Sequence, residues 1–401
     1  MWIVLVLTWA LPWVCWPNVE NSYWEPKATV WMLGCALLLC RGLLSEHPLR
    51  PWRNRAAQWL VLWAVCTGIL YFWVPYLARK PSDQTIAYNV FLWIPTIHLL
   101  MGLLAVRVLV GRYLTSLLSI SRMTRVLCLS AVACAVYGFF QYFLIDQFFF
   151  WRANVTTAGS QLVMAGMGNS GTLAILLAVT LPLCFFFQEK RYLLWLGLLS
   201  LVLWMTGARY AWVAGAGGLL AYGFLRLSVW KPRWALGVSM SLLLLLGGSS
   251  PWWGRALRQD ERWLTWQETL FQWKSHHPWT GTGLESFKDR FIFGQKTLSP
   301  AFQARAQSGK LGSSRWHHPH SEPLKVLYDL GLIGLGLCAW MIGLALWRIW
   351  RYRQQLTMCV YGAAFISWLL VSLVHFPAHE ATTAWWGMVC WAVVEAHPVE
   401  G

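Results

Sequence analysis

The chain has 401 residues, of which 57% are hydrophobic and 12% charged, with a formal net charge of +16. Apolar residues in that proportion, gathered in long blocks, exclude a soluble globular or disordered chain and indicate a polytopic membrane protein.

In chain order, about twelve apolar blocks approach the roughly 20 residues that a helix needs to cross a bilayer. They run over 2–15, 28–44, 56–77, 86–109, 124–146, 171–188, 192–206, 210–225, 234–249, 323–347, 356–374 and 381–397. The first is short, but it has no basic leading segment and ends in Trp and Pro rather than in small residues. It is therefore read as a helix and not as a cleaved signal. Placing the N-terminus in the cytoplasm puts sixteen Lys and Arg, from Arg41 to Arg353, in the inner connections. The short outer connections then hold only Lys27, Arg79, Lys80, Arg152 and Arg209, as the positive-inside rule requires. Both termini are expected inside. The segment 250–322 is left outside, and its ten Lys and Arg do not count against the orientation because long loops translocate largely regardless of charge.

The expected fold is all-α: helices 1–9 over residues 1–249, a large outer loop over 250–322 with amphipathic helices, and helices 10–12 over 323–401, forming one membrane domain. The ten cysteines sit in or beside the apolar blocks and the outer loop has none, so no disulfide framework is expected. Many of the 31 tryptophans, such as Trp52, Trp59, Trp151, Trp252 and Trp253, lie near block ends, where an amphipathic ring suits the headgroup region.

Within the outer loop, Trp263, Leu264, Trp266, Leu270, Phe271 and Trp273 recur mostly at three- and four-residue steps. That spacing predicts an amphipathic helix over 260–273, lying on the bundle or the membrane surface. His277-Pro278 ends it, and Gly281 and Gly283 supply a tight turn. Arg255, Arg258, Arg262 and Lys274 form either a solvated helix face or a surface for an anionic ligand or lipid headgroups.

The stretch "HHPHSEPLKVLYDLGLIGLG", 317–336, places three histidines and a glutamate before the tenth block. Ser321 suits a helix N-cap, Glu322 the first turn, and Pro323 a position whose N–H is unpaired anyway. His320 thus precedes a helix N-terminus, a place that collects anions and favours a neutral, proton-accepting imidazole. It is either a capping histidine or a general base beside a bound phosphate. Zinc is disfavoured, since there is no His-Glu-x-x-His pair and His317, His318 and His320 around a proline share no helix face. No serine stands in a glycine-rich nucleophile turn. In "MTGARYAW", Arg209 falls between two apolar blocks on the outer side, where an arginine either snorkels or has a functional partner. Asp329, about two turns into its helix, is expected to be hydrogen-bonded or ion-paired, and His98 to be structural.

Four segments in order resemble the bacterial O-antigen ligases and, more distantly, the O-antigen polymerases and O-linked oligosaccharyltransferases. "GNSGTLAILLAVTLPL" at 168–183 resembles the family's Gly-Asn stretch and Leu-Pro helix, and "TGARYAW" its Thr-Gly-Ser-Arg-Gly-Ala turn. "RWLTWQETLFQWKSHHPWTGTGLESF" resembles its Arg-x-x-x-Trp helix and His-Pro-x-x-Gly-x-Gly turn, and "HPHSEPLKVLYDLGLIG" its His-x-His-Asn-x-x-Leu run. The departures are Ala208 for a usual serine, Tyr210 for a usual glycine and Ser321 for a usual asparagine.

The resemblance implies an inner-membrane glycosyltransferase with a periplasmic active site, needing neither metal nor cofactor and transferring with inversion. Its donor would be an undecaprenyl pyrophosphate-linked glycan and its acceptor lipid A-core, in contact with membrane lipid and not with nucleic acid. Arg209 and Arg262 take the places of the arginines that hold the pyrophosphate, and His320 that of the histidine that activates the acceptor hydroxyl. Secondary candidates are Lys274, Arg315 and Lys325 for further anionic groups, His318 for acceptor positioning and Glu322 for orienting a histidine. A polymerase would share the donor chemistry, and an oligosaccharyltransferase is usually longer; the single large loop favours a ligase. A lipid-linked sugar transporter is disfavoured because there is neither an internal repeat nor a central charged path.

Overall fold

The computed structural model describes residues 2–14, 24–43, 55–68, 116–143, 163–187, 189–230, 261–275, 277–283 and 319–396, together with Gly102, Ala105, Val108, Leu109, Tyr113, Leu114, Phe287 and Ser299. The apolar block at 234–249, most of that at 86–109 with His98, and Arg255, Arg258, Arg315, His317 and His318 lie outside the described residues.

The described residues form α-helices and short 3-10 turns, with no strand among them. In chain order the α-helices are α1 (Trp2–Ala10), α2 (Trp24–Leu43), α3 (Arg55–Gly68), α4 (Leu117–Tyr142), α5 (Ser170–Thr180), α6 (Arg191–Met205), α7 (Arg209–Trp230), α8 (Glu261–Ser275), α9 (Glu322–Arg351), α10 (Leu356–Ser372) and α11 (Ala381–Ala396). By length and composition Leu117–Tyr142, Arg209–Val229 and Glu322–Arg351 can each cross a bilayer, and Thr29–Leu38, Ser170–Phe186, Tyr192–Met205 and Leu356–Ser372 are shorter apolar helices. The described residues are thus all-helical, with apolar helices consistent with a membrane protein.

Local chemistry sets the helix limits. The fifth block begins earlier than hydropathy predicts because Ser116 and Ser119 form a reciprocal capping box that starts α4 at Leu117. Asn169 caps α5 through its side chain, accepting from the Gly171 N–H at 2.6 Å. At Leu181–Phe186 the same run tightens into a 3-10 helix where Pro182 removes a backbone donor.

Close approach holds the centre. On α7, a methyl group at Gly218 would lie 2.8 Å from the Ser367 Cβ and 3.2 Å from the Ala363 carbonyl oxygen of α10, so only glycine lets these helices meet. Buried polar groups are satisfied across helices: the Ser367 hydroxyl donates to the Ala178 carbonyl, and the Trp385 and Trp386 indoles donate to Thr8 and Thr180.

Two ends of the bundle can be told apart. At one end the first turns of α7, α9 and α11 meet the ends of α1 and α10, where Thr382 donates to the Leu11 carbonyl, Tyr210 stacks on His375 and Glu322 accepts the Ala378 N–H, and the Lys27 ammonium of α2 donates to the Val14 and Gly166 carbonyls. At the other, Arg348 near the end of α9 pairs with Glu395 of α11. The first end carries Arg209, Arg262 and His320.

Candidate active site

The loop helix α8 carries part of the site, and of the two settings its apolar pattern allows, the bundle or the membrane surface, it turns a polar stripe to the bundle and leaves apolar side chains facing outward. The buried residues are Thr265, Glu268, Thr269 and Gln272, while Trp263, Leu270 and Phe271 are exposed. A polar stripe is stable inside because its groups bond one another and their neighbours. The Gln272 amide donates to Glu268 at 3.0 Å, the Glu268 carboxylate accepts the Ser299 N–H at 3.1 Å, and the Tyr328 hydroxyl of α9 donates to Gln272 at 3.4 Å.

One turn of α8 joins two distant parts of the chain. The Arg262 guanidinium donates to the Val374 carbonyl at 3.4 Å and lies over the Tyr210 ring at 5.3 Å. Four residues on, the Trp266 indole donates to the Pro319 carbonyl at 2.8 Å. Residues four apart share a helix face, so α8 pins the α10–α11 turn and the entry to α9 side by side.

Between those pins lies an aromatic and cationic cluster. His375 stacks on Tyr210, with centroids 4.9 Å apart and planes at 21°, and on Phe376 at 4.3 Å and 26°. His320 meets His375 edge-on at 5.9 Å and touches Phe376 at 5.1 Å. His320 has φ of 52°, in the left-handed region that a side chain with a Cβ rarely occupies. That backbone holds its ring outside the helix that starts at Glu322. Ser321 occupies the N-cap position, but its side chain makes no capping hydrogen bond. The His375 imidazole is pushed down to a pKa of about 3 by burial, by the neighbouring His320 and by the Arg262 cation, so it is neutral at physiological pH.

The glycine turn after α8 clamps the break in α9. Gly281 and Gly331 face each other backbone to backbone, both with positive φ, and the loop N–H groups of Thr282 and Gly283 donate to the Tyr328 and Asp329 carbonyls. In return Leu332 and Ile333 donate to Pro278 and Trp279, across the break in α9 at Gly331. The Asp329 carboxylate accepts the Phe287 N–H at 3.2 Å, the hydrogen-bonded role expected of it.

Of the residues singled out in the sequence, Arg262 and His320 are brought into one cluster. Arg209, the first residue of α7, is exposed, and its neighbour Tyr210 makes the contact to Arg262. Lys274 is exposed in the last turn of α8, about 18 Å along the axis from Arg262. Lys325 and Glu322 converge on a histidine, and it is His379: the Lys325 ammonium meets its Nδ1 at 3.3 Å, and Glu322 pairs with its Nε2 at 3.2 Å while accepting the Ala378 N–H at 2.8 Å. Arg315 and His318 lie outside the described residues.

Sequence reasoning missed the α10–α11 turn, which supplies the Val374 carbonyl, His375, Phe376 and His379. The signal was present in "HFPAHE", 375–380: two histidines and a glutamate around a proline, between two apolar blocks on the outer side.

No curated protein matches the chain. A family model described as O-antigen ligase matches residues 192–339, from the start of α6 into the second half of α9, and so takes in Arg209, Arg262 and His320. Over that stretch the chain is similar to the O-antigen ligase family.

Proposed function

We propose that this protein is an O-antigen ligase: an inverting glycosyltransferase of the bacterial inner membrane that moves a glycan from undecaprenyl pyrophosphate onto lipid A-core at the periplasmic face. The observation that carries the reading is the joining of Arg262 and His320 by one turn of α8, within the family-matched segment. In this reading the acceptor hydroxyl oxygen attacks the anomeric carbon, and His320 takes the hydroxyl proton. The bond from that carbon to the phosphate oxygen breaks, and its electron pair leaves with the lipid pyrophosphate. Arg262 and Arg209 meet the charge that grows on the leaving group. A guanidinium stays charged at any relevant pH and donates paired hydrogen bonds to phosphate oxygens. Because the charge develops in the transition state, fixed donors there lower the barrier more than they tighten ground-state binding. The guanidinium groups supply this stabilisation themselves, so the reading needs no metal. Lys325 and Glu322 would act indirectly, by fixing His379 beside the same turn.

The test is lipopolysaccharide from a deletion strain, rescued with wild type, His320→Ala or Arg262→Ala. The expected result is bare core with accumulated lipid-linked polymer, corrected by wild type and by neither variant. Core capped by a single repeat unit would instead identify a polymerase, and an unchanged ladder would refute both.

A further inference from the structure

His375 is a titratable side chain that the reaction above does not use. It is 6% exposed, its ring is held by Tyr210 and Phe376, and its Nδ1 is buried with no hydrogen-bond partner among the described residues. On its other side, a methyl group at Gly171 would lie 3.7 Å from Nε2. A buried polar atom left unbonded is costly, so the ring is held there against a penalty. The ring it meets edge-on is that of His320, at 5.9 Å and 78°.

We propose that His375 is a positioning residue for His320: with substrates bound, its Nδ1 accepts the ring N–H of His320 and so fixes which nitrogen of His320 faces the acceptor hydroxyl. The inference rests on His320 being the base. In a neutral imidazole one nitrogen donates and the other accepts, and the hydrogen bond made by the first decides which lone pair is presented by the second. A nucleophile, a base and a third group that orients the base recur in this arrangement. Neutral His375, with its proton on Nε2, is suited to the orienting place. When His320 takes the acceptor proton on its outer nitrogen it becomes a cation, and its inner N–H still points at a lone pair rather than at a second charge. No proton leaves the pair during the displacement. Hydrogen bonds of this kind are often long before substrate is bound and tighten in the complex, which fits the 5.9 Å separation of the two rings. The left-handed backbone of His320 and the Trp266 bond to Pro319 limit how the ring can move, and the stack on Tyr210 and Phe376 does the same for His375.

The experiment uses the purified full-length protein in detergent, with a short lipid pyrophosphate-linked saccharide as donor and core lipopolysaccharide as acceptor. His375→Phe keeps a stacking ring without nitrogens, His375→Asn keeps a hydrogen-bonding atom near the position of Nδ1, and His375→Gln reaches instead toward that of Nε2. The expected result is a fall in kcat of about 100-fold in His375→Phe with little change in either KM. His375→Asn should recover at least about ten-fold of that loss, and His375→Gln should not. If His375→Phe does not fold, the Asn and Gln variants carry the comparison. Equal slowing in Asn and Gln, or a loss confined to KM, would mean a packing role and overturn the proposal. So would wild-type kcat in His375→Phe beside an inactive His320→Ala, which leaves the assignment of His320 intact. An active His320→Ala would remove that assignment itself, and the orienting role with it.

Discussion

Replacing Gly331 by alanine is expected to destabilise the protein by about 2–5 kcal/mol, the sum of two effects. The residue has φ of 68°, a conformation that costs an alanine about 1–2 kcal/mol. The new methyl group would lie 2.3 Å from the Trp279 carbonyl oxygen, so the 278–283 turn must retreat by about 1 Å to reach ordinary contact. That retreat strains the bonds of Gly283 to Asp329 (2.8 Å), Leu332 to Pro278 (3.0 Å) and Ile333 to Trp279 (3.2 Å). Losing two of them adds about 1–3 kcal/mol. Gly343 in the same helix is the control: a methyl group there meets nothing within 4 Å, so Gly343→Ala should be neutral or stabilise by up to about 1 kcal/mol. Gly281→Ala attacks the same contact from the other side, where its methyl would lie 2.3 Å from the Asp329 carbonyl oxygen. The double variant should therefore lose, beyond either single one, only the second residue's left-handed backbone cost of about 1–2 kcal/mol. Denaturant unfolding in mild detergent measures all four. A Gly331→Ala stability within about 0.5 kcal/mol of wild type, or full additivity with Gly281→Ala, would refute the backbone clamp.

Three further outcomes follow from the cluster. In Gly171→Ala the methyl group would stand 2.4 Å from the Tyr210 hydroxyl, displacing that ring from His375; transfer should fall by at least about ten-fold, and a wild-type rate would show that the stack is dispensable. Arg262→Lys keeps the charge but loses the planar fork and the stacking on Tyr210, so donor KM should rise and kcat/KM fall toward the roughly 100-fold loss expected of Arg262→Ala, as steady-state kinetics would show. For pH, the folded-state pKa of His375 is depressed from 6.5 to about 3, so its contribution is complete above pH 6.5 and is lost as pH falls toward 3. At about pH 5 the loss is about 2 kcal/mol. The stability of wild type relative to His375→Phe should fall by that amount on acidification from about pH 7 to about pH 5, and a constant difference would contradict the assignment of a buried neutral ring.

What the sequence made legible was whatever a one-dimensional pattern encodes. The blocks at 356–374 and 381–397 became α10 and α11 with ends displaced by two residues at most, because length and hydropathy suffice for a helix in an apolar setting. The period of α8 was readable as well, but the face it buries was not. Thr265, Glu268, Thr269 and Gln272 go inward only because Tyr328 and Ser299 wait there with complementary hydrogen-bonding groups, and those partners are set by tertiary structure. The site divides along the same line. Arg262 and His320 stood out because a cation at a loop helix and a histidine before a helix start have physical signatures of their own. His375 has no such signature beyond being a histidine between two apolar blocks: its meaning comes from Tyr210, distant in sequence, and from a carbonyl one residue before it that Arg262 holds. α8 contacts both the α9 entry and the α10–α11 turn through side chains of a single helical turn, and so adds to the direct bonds of Glu322 and Lys325 that hold His320 and His375 as neighbours.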